Sequence, residues 1–293
     1  MFGSIMLLVL LAYVTVGAAF WSRGICTATG KFLTGEAYAN CNDTGISLQP
    51  PSQAHRFGTD AIGRDILART IYGGQLSLLI GLTAALLEVA IGVFIGSVAG
   101  YYGGWVESAL MRFTEAMLNI PSLFLLIVMA KFFGNRLPTY EFAGRSFSGS
   151  VIVIIVIIGL TSWMYLARIV RAEFLTLKER DFITASRSLG VSNLRIILRH
   201  ILPNTSAPII VSATLGVANA ILSEAYVSFL GLGVQGATAT WGNMLDGAYR
   251  YLETAPWLWV FPGLLILLTV LSVNFVGDGL RDALDPRAVK QTG

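Results

Sequence analysis

Charged side chains that suit binding to a partner are concentrated in one polar segment, Lys178–Pro203. Between Arg168 and His200 there are seven Lys or Arg and three acidic residues, a formal charge of +4 against +3 for the whole chain. Guanidinium groups at this density can donate hydrogen bonds to carboxylate and carbonyl oxygens. A short basic loop beside apolar runs also favours the cytoplasmic side of a membrane, and a plain orientation signal is one explanation of the charge.

Apolar residues repeat through this segment with the spacing of two short amphipathic helices. The two repeats are Phe182, Ala185 and Leu189, then Leu194, Ile197, Leu198 and Ile201. Gly190 separates them, where a residue with positive φ would close the first helix. Ser192 is placed to cap the second helix, and Pro203 is expected to end it. We call this predicted helix–turn–helix the bracket, and its compact shape favours docking into a partner's groove.

The bracket resembles the cytoplasmic signature loop of binding-protein-dependent ABC importer permeases, written EAA-x3-G-x9-I-x-LP. Four anchors match and three differ: Ala185, Gly190, Leu202 and Pro203 are kept, whereas Thr184, Ser186 and His200 replace the Glu, the second Ala and the Ile. In that family the loop docks into an ATPase subunit. Because Thr184 has no carboxylate, the family's ion pair with an ATPase arginine is not expected here. Arg195 and Arg199, one turn apart, complete the predicted ATPase-coupling residues.

The composition is that of a polytopic membrane protein. Of 293 residues, 55% are hydrophobic and 13% are charged, and the mean hydropathy is +0.69. The sequence contains no G-x-x-x-x-G-K-[ST], the P-loop that cradles nucleotide phosphates. This chain is therefore not expected to bind ATP through a P-loop. The resemblance implies that ATP and magnesium are bound by partner subunits, and we expect no catalytic residue, bound cofactor or metal site in this chain.

Apolar runs predict an all-α fold with about six transmembrane helices, at residues 5–21, 76–100, 121–133, 151–166, 205–230 and 257–276. The predicted organisation is a first transmembrane helix (1–22), an extracytoplasmic loop with an interfacial helix (23–75), a permease domain (76–277) containing the cytoplasmic loop 172–203, and a cytoplasmic tail (278–293). A signal peptide is the alternative for the first run. We favour a retained span because Met1–Ser4 carries no Lys or Arg.

Three polar side chains interrupt the apolar runs at Glu88, Asn219 and Glu224. Such residues in membrane helices usually face the bundle interior or a water-filled path, so we predict a contribution to the translocation path. A structural carboxylate is the alternative for Glu88. A separate pattern, a glycine at every fourth position, predicts close approach of another helix along Gly92, Gly96 and Gly100.

The predicted outer loop contains both cysteines of the chain, Cys26 and Cys41. In an oxidising exterior compartment their spacing allows a disulfide. Two unrelated thiols are the alternative.

Further sequence motifs narrow the resemblance to one group of these permeases. Residues 58–65 (GTDAIGRD) and 71–73 (IYG) are similar to a signature of C-type permease subunits of dipeptide, oligopeptide and nickel ABC importers. The C-terminal half of those permeases is similar to four further segments of this chain: SFLGLGVQ, WGNML, APWLWVFPG and GDGLRDALDPR. The likeness therefore runs from about Phe57 to Arg287. By itself, the spacing of Ile62, Ile66 and Ile71 predicts only a short amphipathic helix on the membrane interface.

The resemblance implies a type I ABC importer permease fold in a multi-pass subunit of a prokaryotic cytoplasmic (inner) membrane, with both termini cytoplasmic. The implied partners are a second homologous permease, two ATPase subunits, an extracytoplasmic solute-binding protein and membrane lipid, with no nucleic acid. The implied function is ATP-driven import of di- or oligopeptides, in which ATPase closure pulls on the bracket. Nickel chelates or another small solute are the alternative cargo.

Two other classes of protein stay open from the residues alone. An ion-driven secondary transporter would need no ATPase, but it leaves the basic bracket unexplained. A membrane-embedded enzyme is disfavoured because His55 and His200 fall in an outer loop and in the bracket, and no HExxH, Ser/His/Asp or paired-carboxylate pattern is present.

Overall fold

Helices dominate the computed structural model, which describes residues 2–26, 28–134, 136–142, 145–234 and 238–284. The α-helices are, in chain order, α1 (Phe2–Trp21), α2 (Gly35–Ala39), α3 (Ile66–Tyr102), α4 (Gly104–Leu118), α5 (Ser122–Phe133), α6 (Gly149–Ser162), α7 (Met164–Leu177), α8 (Asp181–Ser188), α9 (Asn193–Ile196), α10 (Ser206–Phe229), α11 (Trp241–Met244) and α12 (Trp257–Leu284). Two antiparallel hairpins lie in loops, β1 (Arg23–Cys26) with β2 (Lys31–Thr34) and β3 (Tyr140–Phe142) with β4 (Arg145–Phe147). The predicted all-α class is confirmed.

Among the described residues, four helical segments are long and apolar enough to cross a bilayer: α1, α3, α12 and the continuous stretch Asn193–Phe229. Two further spans arise if each bent helix pair is taken as one, since α4 and α5 meet at 83° and α6 and α7 at 43°. The first bend lies next to Pro121, which has no amide hydrogen to continue α4. The predicted count of about six agrees with the larger number.

The helix α3 is longer than the predicted second span. It begins at Ile66, where the Asp65 carboxylate accepts the amide of Ala68 at 2.8 Å, and it ends at Tyr102. Ile66 and Ile71 are buried inside the protein, while Ile62 lies in the preceding loop. The separate interfacial helix predicted for this region is not formed, because its second half is the first two turns of α3. The start of the span moves from residue 76 to residue 66.

The glycine stripe brings α3 against α7. A Cβ on Gly96 would lie 2.5 Å from the Ala167 carbonyl oxygen, and one on Gly100 would lie 2.5 Å from Cβ of Phe174. Both distances are shorter than van der Waals contact, so glycine is required for this approach of the two backbones. The predicted close helix contact along this stripe, which begins at Gly92, is confirmed.

The second bracket helix does not end at Pro203. Helical structure runs from Asn193 through a π-helical turn, Ile197–Ile201, and a 3₁₀ turn, Leu202–Thr205, into α10. Proline lacks an amide hydrogen and its ring clashes in a regular helix interior, so this local change of pitch accommodates it. The predicted fifth span is therefore continuous with the bracket.

Both described ends of the chain lie at the bracket end of the bundle. The Phe2 ring packs edge-on against Phe275, with centroids 6.2 Å apart, which places the start of α1 beside the last part of α12. A Cβ on Gly277 would lie 3.2 Å from the side chain of Leu215, in the first half of α10. Residues 278–284, predicted to be tail, continue α12 as helix, and residues 285–293 of that predicted tail lie outside the described part of the chain.

Candidate functional site

The turn of the bracket is closed by Gly190. Its φ is +74°, its amide donates to the Arg187 carbonyl at 2.9 Å, and the Val191 amide donates to the Ser186 carbonyl at 3.2 Å. These two hydrogen bonds are the Schellman arrangement that ends α8, so the predicted positive φ is confirmed. A Cβ on Gly190 would meet no described atom within 4 Å, which means that backbone conformation rather than packing favours glycine in this chain.

The bracket turns much of its apolar surface outward. Ile183, Ile196 and Ile201 are fully buried and pack in a cluster with Val170 and Phe174 of α7. The exposed apolar surface of the bracket consists of Phe182 (45% exposed), Leu189 (84%), Leu194 (67%) and Leu198 (55%). These four residues belong to the predicted amphipathic repeats, yet they face away from this chain's core. Exposed apolar clusters of this kind mark interaction sites.

The predicted coupling residues divide between the surface and the partly buried side of the bracket. Thr184, Ala185, Gly190, Arg195, Arg199 and Pro203 are exposed, whereas Ser186, His200 and Leu202 are half-buried. Arg195 and Arg199 form no ion pair within the described ranges. Ser192 occupies the N-cap position with extended backbone, but its side chain makes no capping hydrogen bond. Both arginines are thus available to groups outside this chain.

Sequence reasoning missed the contacts that fix the bracket to α3. Tyr101 lies on the last turn of α3, and its hydroxyl donates to the side-chain oxygen of Asn193 at the start of α9. The guanidinium carbon of Arg187, on α8, lies 5.4 Å from the centroid of the same ring. Tyr101 therefore contacts both helices of the bracket. A tyrosine at the end of an apolar run indicates a membrane interface, but sequence alone does not identify its partners.

Two of the three predicted path residues, Glu88 and Asn219, line one cavity of about 770 Å³. Helices α3, α6, α7 and α10 contribute to its wall, as do four residues at the bend between α4 and α5: Leu118, Ile120, Pro121 and Ser122. This volume lies within the roughly 300–1,000 Å³ typical of small-molecule sites. The cavity is therefore large enough to hold a small solute.

The structure does not place Glu224 with the other two predicted path residues. Its Oε1 accepts hydrogen bonds from the hydroxyls of Ser228 at 2.6 Å and Thr240 at 2.7 Å, and its Oε2 accepts one from Ser77 at 3.4 Å. All four side chains are buried, and Trp241 beside them donates its amide to Ser77 Oγ at 3.1 Å. Through these hydrogen bonds, Glu224 links α10 to α3 and to the start of α11.

Cys26 and Cys41 form a disulfide, with their Cα atoms 6.0 Å apart. The bond joins the end of β1 to the chain just after α2. Tyr38 of α2 packs with Ala68 near the start of α3, which holds the loop on the bundle. Burial raises the pKa of the Tyr38 phenol to about 12, and the charge of Asp65 adds to the shift. This phenol is therefore neutral at physiological pH.

Proteins named as peptide transport permeases align with most of this chain. It is 42% identical over 255 residues to the dipeptide transport system permease protein DppC of Alkalihalophilus pseudofirmus, covering 87% of this chain and 79% of that protein. It is 42% identical over 233 residues to the oligopeptide transport system permease protein OppC of Haemophilus influenzae, covering 80% and 70%. It is 40% identical over 264 residues to DppC of Bacillus subtilis, covering 90% and 78%.

A chain of the inward-facing MetNI methionine ABC transporter superposes with a TM-score of 0.55 at 19% identity, over 73% of this chain and 94% of that chain. At this identity the likeness shows the fold alone, and the predicted type I ABC importer permease fold is confirmed. Residues 92–290 match the model of one protein family. This range includes the whole bracket and helix α10, which lines the cavity. The chain belongs to the family of binding-protein-dependent transport system inner membrane components.

Proposed function

We propose that this chain is one of two homologous membrane subunits of an ATP-driven importer of di- or oligopeptides. Relatives that cover most of its length are named dipeptide and oligopeptide transport system permeases, which supports peptides over nickel chelates or another small solute. An extracytoplasmic binding protein delivers the peptide, and two separate ATPase subunits bind ATP and magnesium. Both termini and the bracket lie on the cytoplasmic side of a prokaryotic inner membrane, within which the helices contact lipid.

The observation that carries the coupling role is the outward surface of the bracket. Its apolar side chains, including Leu189 and Leu194, are exposed beside Arg195 and Arg199. Apolar side chains beside two guanidinium groups without an ion pair in the described chain fit a groove lined with apolar and carboxylate or carbonyl groups on a partner protein. An ion-driven transporter has no use for such a surface. Closure of the ATPase subunits would move the bracket and, through α10, the cavity wall.

The test is uptake by the complete complex in proteoliposomes. The chain is co-purified with the second permease and the ATPase subunits, and uptake of labelled dipeptides and tripeptides is measured with saturating binding protein. We expect uptake that needs ATP and stops when the P-loop lysine of the ATPase subunits is replaced. Uptake driven by a proton or sodium gradient without ATP would contradict the proposal, as would transport of nickel chelates but not peptides.

A further inference from the structure

The cavity that holds Glu88 is walled mainly by neutral polar and apolar groups. Helix α10 contributes one face, with successive residues four, three, four and three positions apart: Ser212, Gly216, Asn219, Ser223 and Tyr226. The lining also includes Thr161 and Ser162 at the end of α6 and Tyr165 on α7. Hydroxyl and amide groups are thus repeated along the cavity, among the side chains of Leu, Ile and Met.

Glu88 is the one ionisable carboxylate or base among the described residues that line this cavity. It is half-buried, and within the described ranges it forms no ion pair and accepts no hydrogen bond. A Cβ on Gly216 would lie 2.9 Å from Oε2 of Glu88, so the missing side chain leaves room for the carboxylate beside α10. The carboxylate therefore meets the cavity without a cationic partner.

The cavity reaches a face of the protein that this chain leaves open. Tyr165 and Tyr226, both on its wall, are 69% and 55% exposed. Phenol hydroxyls on membrane helices are favoured where they meet water, a polar solute or another subunit rather than lipid chains. A carboxylate without a cationic partner in a membrane-spanning helix is costly unless it meets water or a cation. The wall thus favours a solute that carries a positive group at one end and neutral or apolar groups elsewhere.

We propose that Glu88 binds the terminal ammonium group of the transported peptide, while hydroxyl and amide oxygens of the wall accept the remaining hydrogen bonds of that ammonium group. An ammonium group donates three hydrogen bonds and pairs with a carboxylate through charge-assisted bonds. No other side chain on the described wall supplies this charge. The assignment rests on the proposed peptide transport, and it adds the part of the peptide that this cavity recognises.

The test compares a peptide that has the ammonium group with one that lacks it. Trialanine and N-acetyl-trialanine are added to the purified complete complex that carries Ser223→Cys, and the rate of maleimide labelling of that cysteine is measured. This assay needs no binding protein, so selection by that protein does not enter. We expect trialanine to protect the cysteine at roughly tenfold lower concentration than the acetylated peptide, the factor of one charge-assisted hydrogen bond.

Glu88→Gln keeps the shape of the side chain and should abolish the difference between the two peptides. Gly216→Ala retains the charge but crowds the carboxylate, and it should reduce the difference. Glu115→Gln is the matched control, because it removes an equal charge from an exposed position of α4 that does not line the cavity. In the uptake assay, Glu88→Gln should lower trialanine uptake by about tenfold, and Glu115→Gln should leave it unchanged.

Three outcomes would overturn the assignment. Equal discrimination by wild type and Glu88→Gln would show that Glu88 does not read the ammonium group. Equal protection by the two peptides in wild type would show that the cavity does not select for it. Loss of the second permease on purification of Glu88→Gln would make Glu88 an assembly contact. Failure of the wild-type complex to take up any peptide is a separate result, which counts against the proposed function.

Discussion

The hydroxyl of Tyr101 donates a 2.7 Å hydrogen bond to Oδ1 of Asn193, which joins the end of α3 to the start of α9. Glu88 lies thirteen residues earlier on the same helix, about 20 Å along its axis at 1.5 Å per residue. One helix therefore carries both the cavity carboxylate and the anchor of the bracket. Because a packed helix moves as a unit, displacement of the bracket is expected to reach the cavity through α3 as well as through α10.

Tyr101→Phe is expected to weaken the link between the bracket and α3. The change removes the hydrogen bond to Asn193 but keeps the ring under Arg187, at a cost of about 0.5–1.5 kcal/mol. Stimulation of ATP hydrolysis by loaded binding protein should fall several-fold, while the complex still assembles. Tyr102→Phe is the control, because Tyr102 is exposed and its hydroxyl makes no hydrogen bond among the described residues. Equal stimulation in the two variants would contradict the prediction.

Gly190→Val should uncouple ATP hydrolysis from transport without preventing membrane insertion. A side chain at φ +74° costs about 1–2 kcal/mol, and more for a β-branched residue. Relief of that strain would tilt α9, which carries Arg195, and the π-helical turn after it, which carries Arg199. Gly190→Asn should retain coupling, because asparagine tolerates positive φ. The measurement is ATP hydrolysis with and without loaded binding protein. Wild-type stimulation of the valine variant would remove this role from Gly190.

Glu224→Ala should lower stability rather than alter solute selection. It leaves the buried hydroxyls of Ser77, Ser228 and Thr240 without their acceptor, and each such loss costs about 1–3 kcal/mol. The Tm of the detergent-purified complex should fall. Asn219→Ala is the comparison, since Asn219 is exposed on the cavity wall, and its Tm should stay near wild type. An unchanged Tm for Glu224→Ala would show that the hydrogen bonds of Glu224 do not stabilise the packing of α3, α10 and α11.

Replacing both cysteines with serine should loosen the outer loop. A disulfide that closes a loop of this length contributes about 3 kcal/mol, chiefly by restricting the unfolded loop, and the separation of Cys26 and Cys41 is 15 residues. We expect faster proteolysis within residues 22–65 in the double variant, and recovery of the two cysteines as one linked peptide from wild type without reductant. Two free thiols in oxidised membranes would contradict the bond.

The cytoplasmic placement of the bracket is tested by labelling in the variant without native cysteines. Ser192 is exposed at the bracket turn. A cysteine there (Ser192→Cys) should react with an impermeant maleimide only when the reagent has access to the cytoplasmic face of the membrane. Phe32 is exposed on β2. A cysteine there (Phe32→Cys) should react with the same maleimide from outside, in cells whose cytoplasmic membrane is intact. Labelling of Ser192→Cys from outside would show that the topology is inverted.

The residues within a few positions of one another were enough to predict the local features. Apolar runs indicate membrane helices because lipid leaves backbone amides and carbonyls no partner except each other. The positive φ of Gly190 is predictable from a glycine between two amphipathic repeats, because the hydrogen bonds that hold this conformation join only residues 186–191, all close in sequence. The start of α3 was missed, since the buried Ile66 and Ile71 have the same spacing in a span as in an interfacial helix.

Only the tertiary structure decided which face of each element is covered. Phe182 and Ile183 are adjacent apolar residues, and packing against α7 buries Ile183 while it leaves Phe182 exposed. Glu88 and Glu224 look alike in sequence as single carboxylates in apolar runs. Glu224 is satisfied by hydroxyls that include Ser77, 147 residues away, whereas Glu88 meets an open cavity. Hydrophobic periodicity describes one helix at a time, and these roles depend on side chains brought together from distant helices.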